Sequence, residues 1–523
     1  MSSKTPPTPG TEDRLDSRLL GLIAVILLGG LLGILNSTMA AVATDTLATA
    51  LGTSLNAVGW ASTGFLLTVT ATIPFTVWAV DRFGGKRLWL TGLALFLAGS
   101  LAAGLAWNIG SLIAFRVVQG LGAGLLDPLV LILLARAAGP RRAGRVMGLM
   151  GVVLSLGPVL GPIAGGAVLS ALPWRWMFLL SVPVGLIAYG LAVWVIPADR
   201  PPTGTPAAAT SASATPVSGT AASGTRLDVL GLALLGPGFA ALVLALSQTA
   251  AHATPAAWQA LAPLAVGAAL LIGYGVHALR TRSTPVTPGT LGTPAPRSTP
   301  PLIDLRLFAH RGFSASVTIM GLSGLVTFAA LFTLPLYYQQ AHGRGVLAAG
   351  LLMAPVGLGS ALAMPLAGRL SDRLGARGLA TGGGVVSVAS GLALTRIGAD
   401  TPELWPSVAA FALGLGLGFV TAPTMGSLYR ALPAPMVAQG SSVLYMLNQL
   451  GAALGVALVT LVLETSGDAI SGFRNVFWLA VTANLIILAA LPLLPGRLTP
   501  PASGSGSGDA VHEPAVRKPE RTR

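Results

Sequence analysis

Three polar side chains interrupt one of the longest apolar stretches of the chain, and their spacing could serve charge movement. The stretch "RVVQGLGAGLLDPLVLILLAR" carries Arg116, Gln119 and Asp127 among aliphatic and small residues. Arg116 and Asp127 are eleven positions apart, so they return to one face of a helix about three turns apart. Ionisable groups within hydrocarbon are costly and mark functional sites by default. We predict proton coupling at Asp127 and Arg116; a structural ion pair with another helix is the alternative.

A second stretch nearby, "GPVLGPIAGG", repeats glycine and proline within a long apolar run. Small residues allow neighbouring helices to approach closely, and proline permits a kink. The pattern predicts either close packing or a bend that keeps a central cavity from leaking as the protein changes shape. The residues concerned are Gly157, Pro158, Gly161, Pro162, Gly165 and Gly166.

The elements that position these residues follow from composition. Of 523 residues, 53% are hydrophobic and 9% are charged, whereas a soluble protein carries about 25% charged residues. The net charge of +14 does not indicate nucleic-acid binding, because the basic residues fall in short gaps between apolar runs. No motif for binding nucleotide phosphates occurs, and the five histidines are scattered. We therefore expect a polytopic membrane protein in contact with lipid, with no enzyme activity, cofactor or metal site.

A membrane-crossing helix needs about 20 mostly apolar residues, and fourteen runs qualify. They predict an all-α membrane protein with fourteen transmembrane helices, in which two six-helix pseudo-repeat halves flank two inserted central helices. The predicted units are a cytoplasmic N-terminal tail (1–17), the first half (18–196), a disordered linker (197–227), the inserted pair (228–279), a second linker (280–311), the second half (312–496) and a disordered C-terminal tail (497–523).

Orientation follows from the placement of Lys and Arg. With a cytoplasmic N-terminus, 26 of the 31 basic residues fall on the cytoplasmic side. We therefore predict a multi-pass protein of the plasma (inner) membrane with both termini in the cytoplasm.

A loop pattern occurs twice and supports the internal repeat. "VDRFGGKR" follows the second span, and "GRLSDRLGAR" follows the second span of the last six. Both combine Asp-Arg, glycine and a further basic residue. This pattern predicts a latch that holds one side of the protein closed. Alternatively, the charges serve only to set the orientation of the helices in the membrane. The gate residues are Asp81, Arg82, Gly84, Gly368, Asp372 and Arg373.

Further polar side chains within the spans could contact a ligand. Each of them could equally cap or anchor a helix. The candidates for a substrate cavity are Asn36, Gln119, Tyr338, Gln339, Tyr445 and Asn448.

Taken together, these motifs resemble the major facilitator superfamily, in particular its fourteen-span drug:proton antiporter branch. That resemblance implies efflux of small amphipathic or hydrophobic compounds by alternating access, in exchange for protons. Facilitated movement or uptake of a specific solute, lipid translocation and a non-transporting sensor remain alternatives. The resemblance rests on "DRFGGKR" (81–87), "RVVQGLGAG" (116–124), "GPVLGPIAGG" (157–166), "WRWMF" (174–178), "LPLYYQQAHG" (334–343) and "GRLSDRLGAR" (368–377).

The first span differs from the usual pattern of that branch, which carries an Asp followed by Asn and Pro. This chain has Asn36 in that segment. Asp127 is then the clearest acidic side chain within the hydrocarbon depth of the first half, which strengthens its assignment to ion coupling.

Overall fold

A computed structural model describes residues 17–199, 227–252, 258–281, 301–432 and 436–494. Within these ranges the chain forms helices and contains no β-strand. Residues 1–16 of the predicted N-terminal tail, the predicted C-terminal tail, most of the first linker and residues 282–300 of the second lie outside the described residues. The helices are α1 Ser17–Val42, α2 Thr44–Leu51, α3 Leu55–Phe83, α4 Gly85–Gly104, α5 Ile109–Ala171, α6 Trp176–Leu179, α7 Ser181–Val195, α8 Val229–His252, α9 Trp258–Arg280, α10 Arg311–His342, α11 Val346–Leu374, α12 Ala376–Leu394, α13 Leu404–Ala431, α14 Val437–Thr465 and α15 Ala469–Ala490.

Thirteen helical segments of the described chain are long and apolar enough to cross a membrane. They coincide with thirteen of the fourteen expected runs. The remaining run lies on α12, whose Arg377 and glycine, serine and threonine residues lower its hydropathy. The small residues serve packing instead: a Cβ at Gly383 would lie 2.7 Å from the carbonyl oxygen of Gly416 on α13. That the chain crosses the membrane fourteen times therefore remains a prediction.

Helix α5 contains two of these segments, Ile109–Ala138 and Arg145–Ala171. Both contact neighbouring positions of α1, since a Cβ at Gly33 would lie 3.9 Å from Asp127 and one at Gly157 would lie 2.5 Å from Ile34. In a straight helix, the 30 residues from Asp127 to Gly157 would span about 45 Å. The chain therefore reverses direction between the two segments, which lie side by side against α1.

The hydrophobic core consists of separate clusters, some of which contain residues from both halves. At the end with the basic loops, Met147 and Met150 of α5 share one hydrophobic cluster with Met425 and Leu428 of α13. At the opposite end, a separate cluster runs from Met39 to Phe178 and contains no described residue from the second half of the chain. The halves are therefore packed together at the basic-loop end, and a third cluster also joins Val159 of α5 to Met353 and Val356 of α11.

The inserted helices are fixed to this core. Leu235 of α8 and Tyr274 of α9 are buried in the same cluster as Met147. The Tyr274 hydroxyl accepts from the Ile303 amide at 2.8 Å and donates to its carbonyl at 2.9 Å. The end of the second predicted linker thus packs against α9, and α10 begins a few residues later.

Candidate functional site

A cavity of about 370 Å³ lies between the two halves of the chain. Its walls come from α1, α3, α5 and α8 and, across from them, α10, α11, α13 and α14. Aliphatic, aromatic, hydroxyl and amide side chains make up most of the lining, which contains no basic residue among those described. Asp127 is the one carboxylate of this described lining. The cavity therefore suits a largely apolar molecule and offers it a single acidic group.

The Tyr445 hydroxyl lies near the Asp127 carboxylate, and the two side chains interact electrostatically. The pair joins α5 of the first half to α14 of the second half. Tyr445 is 8% exposed, whereas Asp127 is half-buried because it faces the cavity. Sequence reasoning named both residues for separate reasons, and the fold brings them together across the cavity.

Arg116 lies in a different place. It is 1% exposed and sits against Phe65, whose ring centroid is 4.1 Å from the guanidinium carbon. Its Nη1 donates to Asn36 Oδ1 at 2.8 Å and to Gln119 Oε1 at 2.7 Å, and its Nε donates to the carbonyl of Ala61 at 3.4 Å. Phe65 also lines the cavity, so its ring separates Arg116 from the cavity.

The acceptors of Arg116 belong to a wider polar network. Gln119 Nε2 donates to Ser100 Oγ at 3.0 Å, and Ser100 Oγ lies 2.6 Å from Ser181 Oγ. Asn36 Nδ2 reaches Ser181 Oγ at 3.4 Å, which closes the ring. We call Arg116, Asn36, Gln119, Ser100 and Ser181 the Arg116 network. Buried polar groups are stable when they are paired in this way.

Arg116 and Asp127, which share one face of α5, do not contact each other. Eleven residues correspond to about 16 Å along a helix, and the two side chains have different partners. No carboxylate of the described residues pairs with Arg116, and its Nη2 atom has no hydrogen-bond partner among them. Neutral oxygens and an aromatic face stabilise its charge instead.

The remaining cavity candidates divide into two groups. Asn448 lines the cavity, and its Nδ2 donates to the carbonyl of Met320 at 3.1 Å. Tyr338 is buried outside the cavity lining, with its hydroxyl 2.9 Å from Ser407 Oγ, and Gln339 is half-buried outside the lining as well. Asn36 and Gln119 likewise lie outside the lining, in the Arg116 network.

The first loop pattern holds α3, α4 and α5 together. Asp81 Oδ1 accepts from Arg136 Nη2 of α5 at 3.1 Å. Gly84 has a positive φ of 88°, which favours glycine, and α4 begins immediately after it. The carboxylate of Asp199 caps α4 by accepting from the amides of Lys86 and Arg87 at 2.9 and 3.1 Å. Sequence reasoning missed Asp199, because the capping residue is distant in sequence and no local capping pattern precedes α4.

The second loop pattern repeats part of this geometry. Gly375 has a φ of 90° and precedes α12, as Gly84 precedes α4. Lys86 Nζ donates to the carbonyl of Val193 at 2.6 Å, and Arg377 Nη2 donates to that of Leu494 at 2.8 Å, each at the end of a half's last helix. Gly368 is buried, whereas the side chains of Asp372 and Arg373 and those of residues 139–144 lie outside the described part.

The glycine-proline stretch packs against α1. A Cβ at Gly157 would lie 2.5 Å from Ile34 Cγ2, one at Gly161 would lie 1.8 Å from Thr38 Oγ1, and one at Gly165 would lie 3.3 Å from Met39 Cα. Gly166 has open space around it, and Pro158 lines the cavity. Every fourth residue thus provides the close approach between the helices.

Comparison with known proteins places this geometry in context. A model of the Major Facilitator Superfamily matches residues 26–249 and 228–456. The multidrug resistance protein B homolog of Mycobacterium tuberculosis is 35% identical over 503 residues, covering 95% of this chain and 83% of that protein. The lincomycin resistance protein LmrB of Listeria innocua is 26% identical over 456 residues, covering 86% and 88%. The solved proton:xylose symporter XylE superposes with a TM-score of 0.60 at 14% identity over 92% of this chain and 97% of that one, which is a likeness of fold.

Proposed function

Because the chain belongs to the major facilitator superfamily, and is therefore a multi-pass membrane transporter, we propose that it exports small amphipathic compounds in exchange for protons. The observation that carries this proposal is that Asp127 is the single charged group among the described residues lining a largely apolar cavity. The two resistance proteins that it resembles support efflux as the direction of transport. Such a cavity accommodates hydrophobic molecules, and its carboxylate favours the binding of those that carry a positive charge.

The Asp127–Tyr445 contact supplies a physical basis for exchange. As a carboxylate, Asp127 can accept a hydrogen bond from Tyr445 or neutralise a cationic compound. As a neutral carboxylic acid, Asp127 interacts more weakly with both the Tyr445 hydroxyl and a cationic compound. A proton and a cationic compound therefore compete for one group, and each weakens the interaction of Asp127 with Tyr445 across the cavity. This competition links occupancy of the cavity to the relative position of the two halves.

Packing at one end of the cavity supports alternating access. A Cβ at Gly148 would lie 2.5 Å from the carbonyl of Met364, and one at Gly151 would lie 2.2 Å from the Met364 sulfur. These contacts join α5 to α11 at the basic-loop end. With the fourteen-span topology and both termini in the cytoplasm, this conformer is closed toward the cytoplasm. Export then requires α5 and α11 to separate at Gly148 and Gly151.

The loop patterns would hold the closed side in place. The Asp81–Arg136 ion pair and the paired conformations of Gly84 and Gly375 support a latch that is repeated in the two halves. Arg82, Gly368, Asp372 and Arg373 belong to the same proposed latch, by their positions in the two patterns.

The proposal is tested by proton movement in proteoliposomes loaded with a pH-sensitive dye, with tetraphenylphosphonium as the lipophilic cation. We expect the cation to drive proton movement with the natural protein and with Asp400→Asn, the same change at an exposed loop residue. Asp127→Asn should reduce the signal to that of empty liposomes, because the one cavity carboxylate is lost. Proton-coupled uphill transport by folded Asp127→Asn would contradict the proposal, and lipid scrambling without any cation-driven signal would favour a lipid translocator.

A further inference from the structure

Helix α8, the first of the two inserted helices, reaches the cavity. Val243, Leu246 and Ser247 all line it, and their spacing of three and then one residue places them on one face of the helix. Val243 is 2% exposed, and Ser247 and Leu246 are half-buried. The sequence gives no sign of this role, because such a face has the same composition as a face toward lipid.

The position of α8 is fixed by close contacts with the transporter core. It packs against both α3 of the first half and α14 of the second half. A Cβ at Gly236 would lie 2.6 Å from the carbonyl of Ala71 on α3, so only glycine allows this approach. Nearer the cavity, Ser247 Oγ lies 3.5 Å from Thr63 Oγ1 of α3.

Helix α9 separates α8 from lipid on its outer side. A Cβ at Gly238 would lie 2.9 Å from Leu271 Cδ2, and one at Gly267 would lie 3.0 Å from the carbonyl of Gly238. Leu264 and Ala265, in the first third of α9, are exposed on the outer surface. At one end of the pair, His277 Nε2 and Asp228 Oδ1 are 2.9 Å apart and join the two helices.

We infer that α8 is a wall of the substrate-binding cavity, with Leu246 and Ser247 as the side chains that meet the transported molecule. This inference rests on the proposed function and assigns a task to the inserted pair: α8 contacts cargo and limits its size, while α9 supports α8 from the lipid side. On the opposite flank, α5 and α11 pack directly against each other. Gly151 of α5 lies against Met364 of α11, and Gly357 of α11 lies against Val159 of α5. The cavity thus has one flank of direct packing and one flank formed by an added helix.

The absence of cysteine from this chain permits a direct test. Ser247→Cys and, as a cavity reference from the first half, Ser37→Cys are treated in membranes with a charged, membrane-impermeant thiol reagent. Ala265→Cys is the lipid-facing control in the same helix pair. Because only a hydrated thiolate reacts, we expect Ser247→Cys to react at least about tenfold faster than Ala265→Cys. Tetraphenylphosphonium should slow the reaction at Ser247→Cys and Ser37→Cys alike. Equal rates at Ser247→Cys and Ala265→Cys would overturn the inference.

Two outcomes distinguish the inference from the proposed function. Protection of Ser37→Cys without protection of Ser247→Cys would show that cargo enters the cavity but does not contact α8. This result would overturn the inference about α8 and leave the proposed function intact. Lack of protection at both positions would count against the proposed function, and the rates at Ser247→Cys and Ala265→Cys would still decide whether α8 lines the cavity.

A size test adds specificity. In the Ser37→Cys background, Leu246→Trp should weaken protection by the bulky tetraphenylphosphonium and preserve protection by the smaller tetraethylammonium. Leu264→Trp, on the lipid-facing side of α9, should leave protection by both compounds unchanged. Unaltered size dependence in folded Leu246→Trp would overturn the role of Leu246.

Discussion

The close contact between α5 and α1 predicts opposite effects from one substitution made at two neighbouring glycines. A Cβ at Gly161 would meet Thr38 Oγ1 at 1.8 Å, Thr38 Cβ at 2.6 Å and the Met39 amide nitrogen at 3.3 Å. A Cβ at Gly166, five positions later, would meet no atom within 4 Å. The two positions therefore separate the packing effect of alanine from its effect on the helix itself.

The expected magnitudes follow from these distances. Alanine in place of glycine stabilises a helix by about 0.5–1 kcal/mol, because it restricts the unfolded chain. Overpacking of a close contact costs about 1–3 kcal/mol. Gly166→Ala should therefore be neutral or stabilising, whereas Gly161→Ala should be destabilising. Gly157→Ala should fall between them, since the atom it meets is a side-chain methyl of Ile34, which can move.

The measurement is the midpoint of thermal unfolding of the purified protein in detergent, followed by the loss of monodisperse protein. We expect the midpoints to increase in the order Gly161→Ala, Gly157→Ala, Gly166→Ala. Thr38→Ala should recover part of the loss in the Gly161→Ala background, because it removes the oxygen in closest contact. Equal midpoints for Gly161→Ala and Gly166→Ala, with equal loss of transport, would refute the packing argument and favour a bend as the role of this stretch.

Two further predictions concern residues outside the cavity. Arg116→Lys should destabilise the protein by about 1–3 kcal/mol, because a lysine cannot donate to Asn36 and Gln119 in the same geometry and leaves buried acceptors unpaired. The same change at the exposed Arg280 should leave the unfolding midpoint unaltered. Asp199→Ala should cost about 0.5–2 kcal/mol through loss of the α4 cap, with Asp400→Ala as the neutral comparison, and an unchanged midpoint would show that the cap contributes nothing.

Sequence patterns predicted the helices well because one physical requirement, about 20 apolar residues per crossing, determines their positions. The exception is instructive. Helix α12 lies where a span was expected, but its glycines and serines lower its hydropathy below that of a typical span. Those residues allow α12 to pack closely on α13, so the property that weakens the hydropathy signal is the one that serves the fold.

The cavity was predicted less completely, because polarity within a span does not reveal its partner. Asn36 and Gln119 are amide side chains of the kind expected to bind a ligand. In the structure, both accept hydrogen bonds from Arg116 instead. Asp127 and Tyr445 are more than 300 positions apart, so no local pattern relates them. The contribution of α8 is also a product of tertiary packing, since neither spacing nor composition distinguishes Ser247 from a lipid-facing serine.

The two intramembrane charges of α5 can now be assigned different tasks on physical grounds. A group that exchanges a proton for cargo must be accessible to both, and Asp127 meets this requirement because it faces the cavity. Arg116 is shielded by Phe65 and surrounded by acceptors whose geometry depends on it, so movement or neutralisation would leave several buried groups unpaired. We therefore expect Arg116 to act as a fixed organiser of α1 and α5, and Asp127 to carry the exchange. The shared helix face indicated a functional pair, but the environments of the two residues indicate a division of labour.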